Sequence, residues 1–241
     1  MHISEGVLSP LVLGGGAAAS ALCLSIGLRR LDWDNLMTVA LLASAFFVAS
    51  LIHVPIGPVS AHLILNGLLG VLLGWASFPA IFVALLLQAL LFQFGGLLVI
   101  GVNTFTMALP PVICFYLFRN QLMAPRYTAA TTQPATTRSE TTTGQPSHPL
   151  HSPHNGYANA SQPMAARSVA AFACGFLSVA LSTLLTAGSL ALSGDTFLPV
   201  AQTLLVSHLP VMVIEGAITA AVVSFLHRVR PEMLTSTVAG H

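Results

Sequence analysis

The chain has 241 residues, 55% hydrophobic and only 6% charged, with a formal net charge of +1. A soluble domain carries about 25% charged residues, so this composition excludes a water-exposed surface of that size and points to a chain that crosses the lipid bilayer repeatedly. Lysine is absent and all eight cations are arginines, which excludes a Walker-type phosphate loop and offers no basic stripe for nucleic acid.

The chain opens Met1-His2-Ile3-Ser4-Glu5-Gly6-Val7-Leu8-Ser9-Pro10. A signal peptide places cations before its apolar run; here Arg29 and Arg30 follow it. The start is therefore expected to stay on the chain, and the bulky His2 to protect Met1 from removal. Apolar segments follow at 10–28, 35–54, 62–77, 79–99, 104–119, 166–192 and 199–226. Each approaches the ~20 residues that span a hydrocarbon core. They predict an all-α bundle of seven transmembrane helices, with six plus a re-entrant segment as the rival. The third segment is short, so it is expected to begin below the membrane surface or to span only partly. Pro79 is expected to divide it from the fourth.

Gly14-Gly15-Gly16-Ala17-Ala18-Ala19-Ser20-Ala21 gives the first segment small residues on several faces. Such residues let helices approach closely in lipid, most simply within the same chain. With the amino end outside, seven alternating spans place all eight arginines in the cytoplasm, as the positive-inside rule asks. The division that follows is a membrane bundle over 1–119, a Thr/Pro/His-containing cytoplasmic loop over 120–164, two further spans over 165–228 and a cytoplasmic tail over 229–241. The loop has few apolar residues larger than alanine and is expected to be disordered. Its His148, His151 and His154 form a polar linker or a transient metal site on the cytoplasmic side. Cys23, Cys114 and Cys174 each fall in an apolar stretch without CxxC spacing, which suits buried, inert thiols.

Chemistry concentrates at the amino terminus. The Met1 amine, the His2 amide nitrogen and the His2 ring nitrogen Nδ1 can close two fused chelate rings on one ion. His62, on the same side of the membrane in this topology, can add a fourth nitrogen. Four nitrogens in a plane suit Ni(II) and Cu(II), and Co(II) is also an imidazole metal. The amine binds only when neutral, so affinity is expected to fall below a pH of about 7.7–8.0. Taken alone, this spacing is equally that of an incidental second-residue histidine and a helix-end histidine bonded to backbone.

Met1-His2-Ile3 with Glu5-Gly6 and Leu8-Ser9-Pro10 resembles the start of the CbiM/NikM family, the substrate-binding membrane subunits of cobalt and nickel energy-coupling factor transporters. The resemblance continues through Val59-Ser60-Ala61-His62, Leu87-Gln88-Ala89-Leu90-Leu91-Phe92, Gly95-Gly96, Gly101-Val102-Asn103-Thr104-Phe105-Thr106-Met107, His208-Leu209-Pro210 and Ile214-Glu215-Gly216. It covers nearly all of the chain except the long loop. It implies a seven-helix subunit in the cell membrane whose amino terminus tucks into the bundle, with Met1, His2 and His62 as the metal ligands. The transported ion would be Co(II) or Ni(II), with no resident cofactor. The implied partners are a transmembrane coupling subunit, ATP-binding cassette ATPases and a small accessory membrane subunit. His53 and the long, biased loop depart from the family pattern.

Glu5, His53 and Asn103 are candidates for contacts behind the ligands, since a metal-bound imidazole usually donates its second N–H to an oxygen. Asn103 is alternatively an N-cap of the fifth span. Glu215 is the one acid well inside a predicted span. It needs a partner or a role; a structural hydrogen bond or a contact with the coupling subunit suits it better than ligation, and His208 is the nearest candidate partner on that span. The rival function is a partner-independent secondary transporter or channel. An enzyme is disfavoured by the absence of HExxH, GxSxG and paired intramembrane acids.

Overall fold

The computed structural model describes residues 3–51, 53–56, 59–63, 65–122, 164–230 and 232–235. The expected Thr/Pro/His loop over 120–164, with His148, His151 and His154, lies outside the described residues except for its first three positions, which end one helix, and Met164, which begins the next.

Helix α1 (Pro10–Arg29) starts where Ser9 and Pro10 dictate: the Ser9 hydroxyl accepts the Val12 N–H at 3.5 Å, and proline occupies the first helical turn, where no N–H is needed. A short turn at Trp33–Asn35 leads to α2 (Leu36–Leu51). A two-stranded antiparallel hairpin follows, β1 (His53–Ile56) and β2 (Val59–His62). Helices α3 (Asn66–Leu73) and α4 (Ser77–Phe92) come next, then α5 (Ile100–Leu122), α6 (Met164–Ala191), α7 (Leu198–Ser207), α8 (Leu209–Val229) and the short α9 (Glu232–Thr235). The architecture is helical, as the composition requires, with the hairpin as an addition to the all-α expectation.

Among the described residues, five stretches are long and apolar enough to cross a membrane: Pro10–Arg29, Asn66–Phe92, Ile100–Leu122, Met164–Ala191 and Leu209–Val229. The Leu36–Leu51 and Leu198–Ser207 helices are apolar but shorter. The outer faces of these helices carry large apolar side chains such as Leu11, Leu22, Leu41, Leu117 and Val206. In water so much exposed apolar surface would drive aggregation; against hydrocarbon it is the compatible surface.

Two expected boundaries move. The break between the third and fourth segments falls at Gly74, whose φ of +52° only glycine adopts easily. Pro79 lies inside the first turn of α4 instead, where it costs no hydrogen bond. The last apolar run, 199–226, is divided at His208, because Pro210 has no N–H to continue the ladder into α7.

Glycines set how closely the helices approach. A Cβ on Gly175 would fall 2.6 Å from Thr219 Oγ1 and 2.7 Å from Glu215 O, so α6 and α8 are in backbone contact there. One on Gly70 would meet the Pro111 carbonyl oxygen at 2.5 Å, locking α3 against the proline-containing stretch of α5. In the small-residue stripe of α1, Gly16 and Ala17 pack on Val102 and Gly101, and Ser20 Oγ donates to Gly101 O at 2.6 Å. Gly14 and Gly15 have no neighbour there, so only one edge of the stripe serves packing within the chain.

The two ends of the bundle differ. Arg30 reaches the Tyr116 hydroxyl (3.4 Å) and lies over the Trp75 ring, and the Arg167 guanidinium donates to the His227 ring. Arg29, Arg30 and Arg119 close α1 and α5, Arg167 opens α6, and Arg228 and Arg230 close α8. Leu122, Ala170, Val223 and Leu234 share one apolar cluster at that end. The first residues, the hairpin and the 93–99 loop occupy the other.

Candidate metal site

Met1 and His2 lie outside the described residues; the described chain begins with Ile3, which is 1% exposed. Burying so early a residue requires partners for its backbone. Asn103 supplies both: the Ile3 N–H donates to Asn103 Oδ1 at 3.1 Å, and Asn103 Nδ2 donates to the Ile3 carbonyl at 3.2 Å. Asn103 is itself buried within α5, its own N–H bonded to Val99 O. It is therefore not an N-cap. Its amide mimics a strand partner for one residue of the amino-terminal segment.

Two further ties hold that segment. The Glu5 N–H donates to Gly95 O (3.1 Å), and Glu5 Oε1 accepts the Leu98 N–H (3.1 Å). The turn that receives Glu5 depends on Gly96, at φ +123°, where a Cβ would overlap the carboxylate. The Ser9 N–H donates to Ser193 Oγ at 3.2 Å, linking the segment to the α6–α7 connection. Glu5 is thus occupied with the 95–98 turn, and it anchors the segment through that turn.

His62 is the last residue of β2, and the register sets it opposite His53 of β1. Both α2 and α7 pack against β2. Three residues on, Leu65 adopts a left-handed conformation (φ +55°) and begins α3 without any side-chain cap of its own. The cap comes from Glu215 of α8, which is fully buried and accepts the Leu65 N–H at 2.5 Å through Oε1. A carboxylate at a helix N-terminus satisfies a free N–H and complements the helix dipole. The intramembrane acid therefore has a structural hydrogen-bond role, and it fixes the backbone just after His62.

His208, the candidate partner for Glu215 on the same span, does not bond to it. His208 is fully buried, and its Nδ1–H donates to the Leu204 carbonyl at 2.8 Å. Its Nε2 is buried without a hydrogen-bond partner among the described residues. Among these residues no three His, Cys, Asp or Glu side chains converge on a common point. Asn103 and Glu215 draw the described backbone together beside the amino end and the hairpin, the regions that carry the expected ligands.

Comparison with known proteins gives the frame for this geometry. The sequence matches the family described as the cobalt uptake substrate-specific transmembrane region over residues 2–142 and 152–233. A putative metal transport protein of Haemophilus influenzae is 38% identical over 238 residues, covering 98% of each chain. A fused nickel transport protein, NikMN, of Rhodobacter capsulatus is 42% identical over 114 residues, 45% of this chain and 33% of that protein. The crystal structure of a transition metal transporter superposes with a TM-score of 0.70 at 25% identity, covering 95% of this chain and 93% of that one. The match over most of the length, in sequence and in fold, places the chain in the CbiM family of cobalt-uptake substrate-specific transmembrane regions.

Proposed function

We propose that this chain is the substrate-specific membrane subunit of an ATP-driven energy-coupling factor importer for Co(II) or Ni(II). The ion is taken from the outside by the Met1 amine, the His2 amide and ring nitrogens, and His62. One observation carries the reading: Ile3 is buried and held by Asn103 at the end of the bundle opposite the arginines. Covalent geometry keeps the first nitrogen of the chain within about 7 Å of the Ile3 nitrogen. A docked Ile3 supports a reading in which the amine and His2 act at this end of the bundle, the end that carries the hairpin with His62.

The arrangement of charges supports an outward amino end. α1, α5 and α8 end in arginine and α6 begins with it, so under the positive-inside rule that end is cytoplasmic. In the proposed topology α1, α3, α5 and α8 descend toward the arginines and α2, α4 and α6 return, seven passages with α3 as a partial one; the arginines at the ends of α1, α5 and α8 support it. The amine must lose a proton, and the His2 amide its own, for all the nitrogens to bind; uptake of the ion therefore releases protons outward. Without a lysine the chain has no phosphate loop of its own. ATP hydrolysis falls to partner ATPases, engaged through a transmembrane coupling subunit and, in the same scheme, a small accessory membrane subunit of the cell membrane complex.

Adding one residue before Met1 tests this directly. The expected result is a protein that still inserts and folds but no longer binds Co(II) or Ni(II) in a titration followed by absorption. His62→Ala is expected to weaken binding strongly. Wild-type affinity in the extended protein would refute amine ligation, and uptake that persists without ATPases would refute the coupling scheme.

A further inference from the structure

We infer that the seam between α6 and α8 at the arginine end is a binding site for one anionic phospholipid, whose phosphate is held by Arg167. The site shares no residue with the proposed ion site.

The charge comes first. Arg167 is only 6% exposed, so its cation does not reach out to water as a long side chain near a helix end usually does. A buried charge is ordinarily paired with an opposite one. Among the described residues Arg167 meets no carboxylate. Its Nη1 lies 3.0 Å from Nδ1 of the His227 ring, and its buried Nε has no partner. A guanidinium can only donate, so the ring nitrogen that it meets accepts, and the ring is neutral. This contact satisfies a hydrogen bond and leaves the positive charge uncompensated. At the same end Arg29, Arg30, Arg119, Arg228 and Arg230 outnumber Asp32, Asp34 and Glu232, so the local field favours an anion. With Nη1 engaged, the Nε–Nη2 edge is the fork that two phosphate oxygens fit.

The surroundings say what carries the phosphate. Next to Arg167 in sequence, the Ser168 hydroxyl meets the Ser224 hydroxyl at 2.9 Å, joining α6 to α8, and both serines are partly exposed. Four residues further along α6, about 6 Å deeper, the seam turns apolar. The Phe172 ring is exposed on its outer side and covers Gly216, where a Cβ would fall 2.9 Å from it. Beside it α8 presents the small, exposed Ala217 and Ala221. A cation at the helix ends, then two hydroxyls, then an aromatic ridge beside a strip of alanines match a phosphate, a glycerol ester and an acyl chain in that order. A soluble anion would use the charge and gain nothing from the rest. Basic pockets between transmembrane helices recognise lipid headgroups in this way.

Photoaffinity labelling of the full-length chain tests this. The protein is placed in phosphatidylcholine nanodiscs containing phosphatidylglycerol with a diazirine on its acyl chain, and the labelled peptides are mapped by mass spectrometry. Labels should gather on 168–177 and 217–225, above the general labelling of α1. Unlabelled phosphatidylglycerol should displace them about fivefold better than phosphatidylcholine, the preference that one basic residue near an anionic lipid confers. Inorganic phosphate should not displace them. In Arg167→Gln the preference between the two lipids should vanish while the labelling of α1 stays as it was. Where that variant does not fold, the competition on the wild-type chain decides alone. Labelling spread evenly over the lipid-facing helices, equal displacement by the two lipids, displacement by inorganic phosphate, or an unchanged preference in Arg167→Gln each overturns the inference.

Discussion

Removing the Asn103 amide is the sharpest perturbation the structure offers, because the residue touches the amino-terminal segment and lies behind the proposed ligands. Asn103→Leu keeps the volume near constant and deletes both hydrogen bonds to Ile3. A buried N–H and a buried C=O lose their partners, at about 1–3 kcal/mol each. Allowing for relaxation and water entry, docking of residue 3 should weaken by about 2–4 kcal/mol, and at 1.4 kcal/mol per tenfold the apparent affinity for Co(II) or Ni(II) should fall roughly 30- to 700-fold. Titration of the purified variant, followed by metal absorption, reads this out. The thermal shift on adding metal should shrink in parallel, since a ligand stabilises only as far as it binds. A folded, monodisperse Asn103→Leu protein with wild-type affinity would show that the Ile3 clamp has no part in holding the ion, and the argument from the buried third residue would fail.

Glu215 should matter first to stability. Glu215→Ala leaves the Leu65 N–H without its acceptor and is expected to cost about 1.5–3 kcal/mol, the range for a hydrogen bond to a charged group; Glu215→Gln keeps an acceptor oxygen and should fall between it and wild type. Thermal unfolding in detergent checks that order, and equal midpoints would remove Glu215 as the cap of α3. Cys23, Cys114 and Cys174 are free and buried. They should resist a water-soluble maleimide in the folded protein and react fully on denaturation, as mass spectrometry would show; stoichiometric labelling of the folded chain would contradict the packing of α1, α5 and α6.

Much of the scaffold was legible from the sequence because lipid imposes a simple rule. Long apolar segments must satisfy their own backbone, and α1, α5, α6 and α8 follow the segments read from composition. Local chemistry marked one end equally well: Ser9-Pro10 opens α1. α4 stops at Phe92, earlier than apolarity alone suggested, where Gln93 takes a left-handed conformation (φ +56°). The hairpin was hidden because Leu51 and Ile52 continue the apolar run into it. Its signals were the β-branched Val54, Ile56 and Val59 and the Pro55, Gly57 and Pro58 that discourage a helix. The partners of Asn103 and Glu215 were not legible at all. Each pairs with a backbone group 100 or 150 positions away, and no local pattern encodes a contact of that span. The His208 ring bond to the Leu204 carbonyl is local, only four residues back, but it follows from the helix break before Pro210, whereas the apolar run reads as one uninterrupted span.

The long-range hydrogen bonds from backbone N–H groups to side chains fall at one end of the molecule, and that asymmetry is itself informative. At the arginine end the long-range bonds join side chains to one another, as in Arg30–Tyr116 and Arg167–His227. At the other end lie the non-helical residues 3–9, the hairpin, the 93–99 turn and the start of α3, which begins only about 12 Å of helix before Gly74. Irregular backbone at membrane depth is tolerated only where protein or a cavity meets its polar groups. Here side chains from distant helices meet them: Asn103 for Ile3, Ser193 for Ser9 and Glu215 for Leu65. A bundle that merely spanned the bilayer would gain nothing from such constraints, since straight helices satisfy themselves. What they secure is the docking of the segment from Ile3 onward and of the backbone after β2 at one end of the bundle. In the proposed scheme, that is the end at which Met1, His2 and His62 would offer backbone and imidazole nitrogens to an ion.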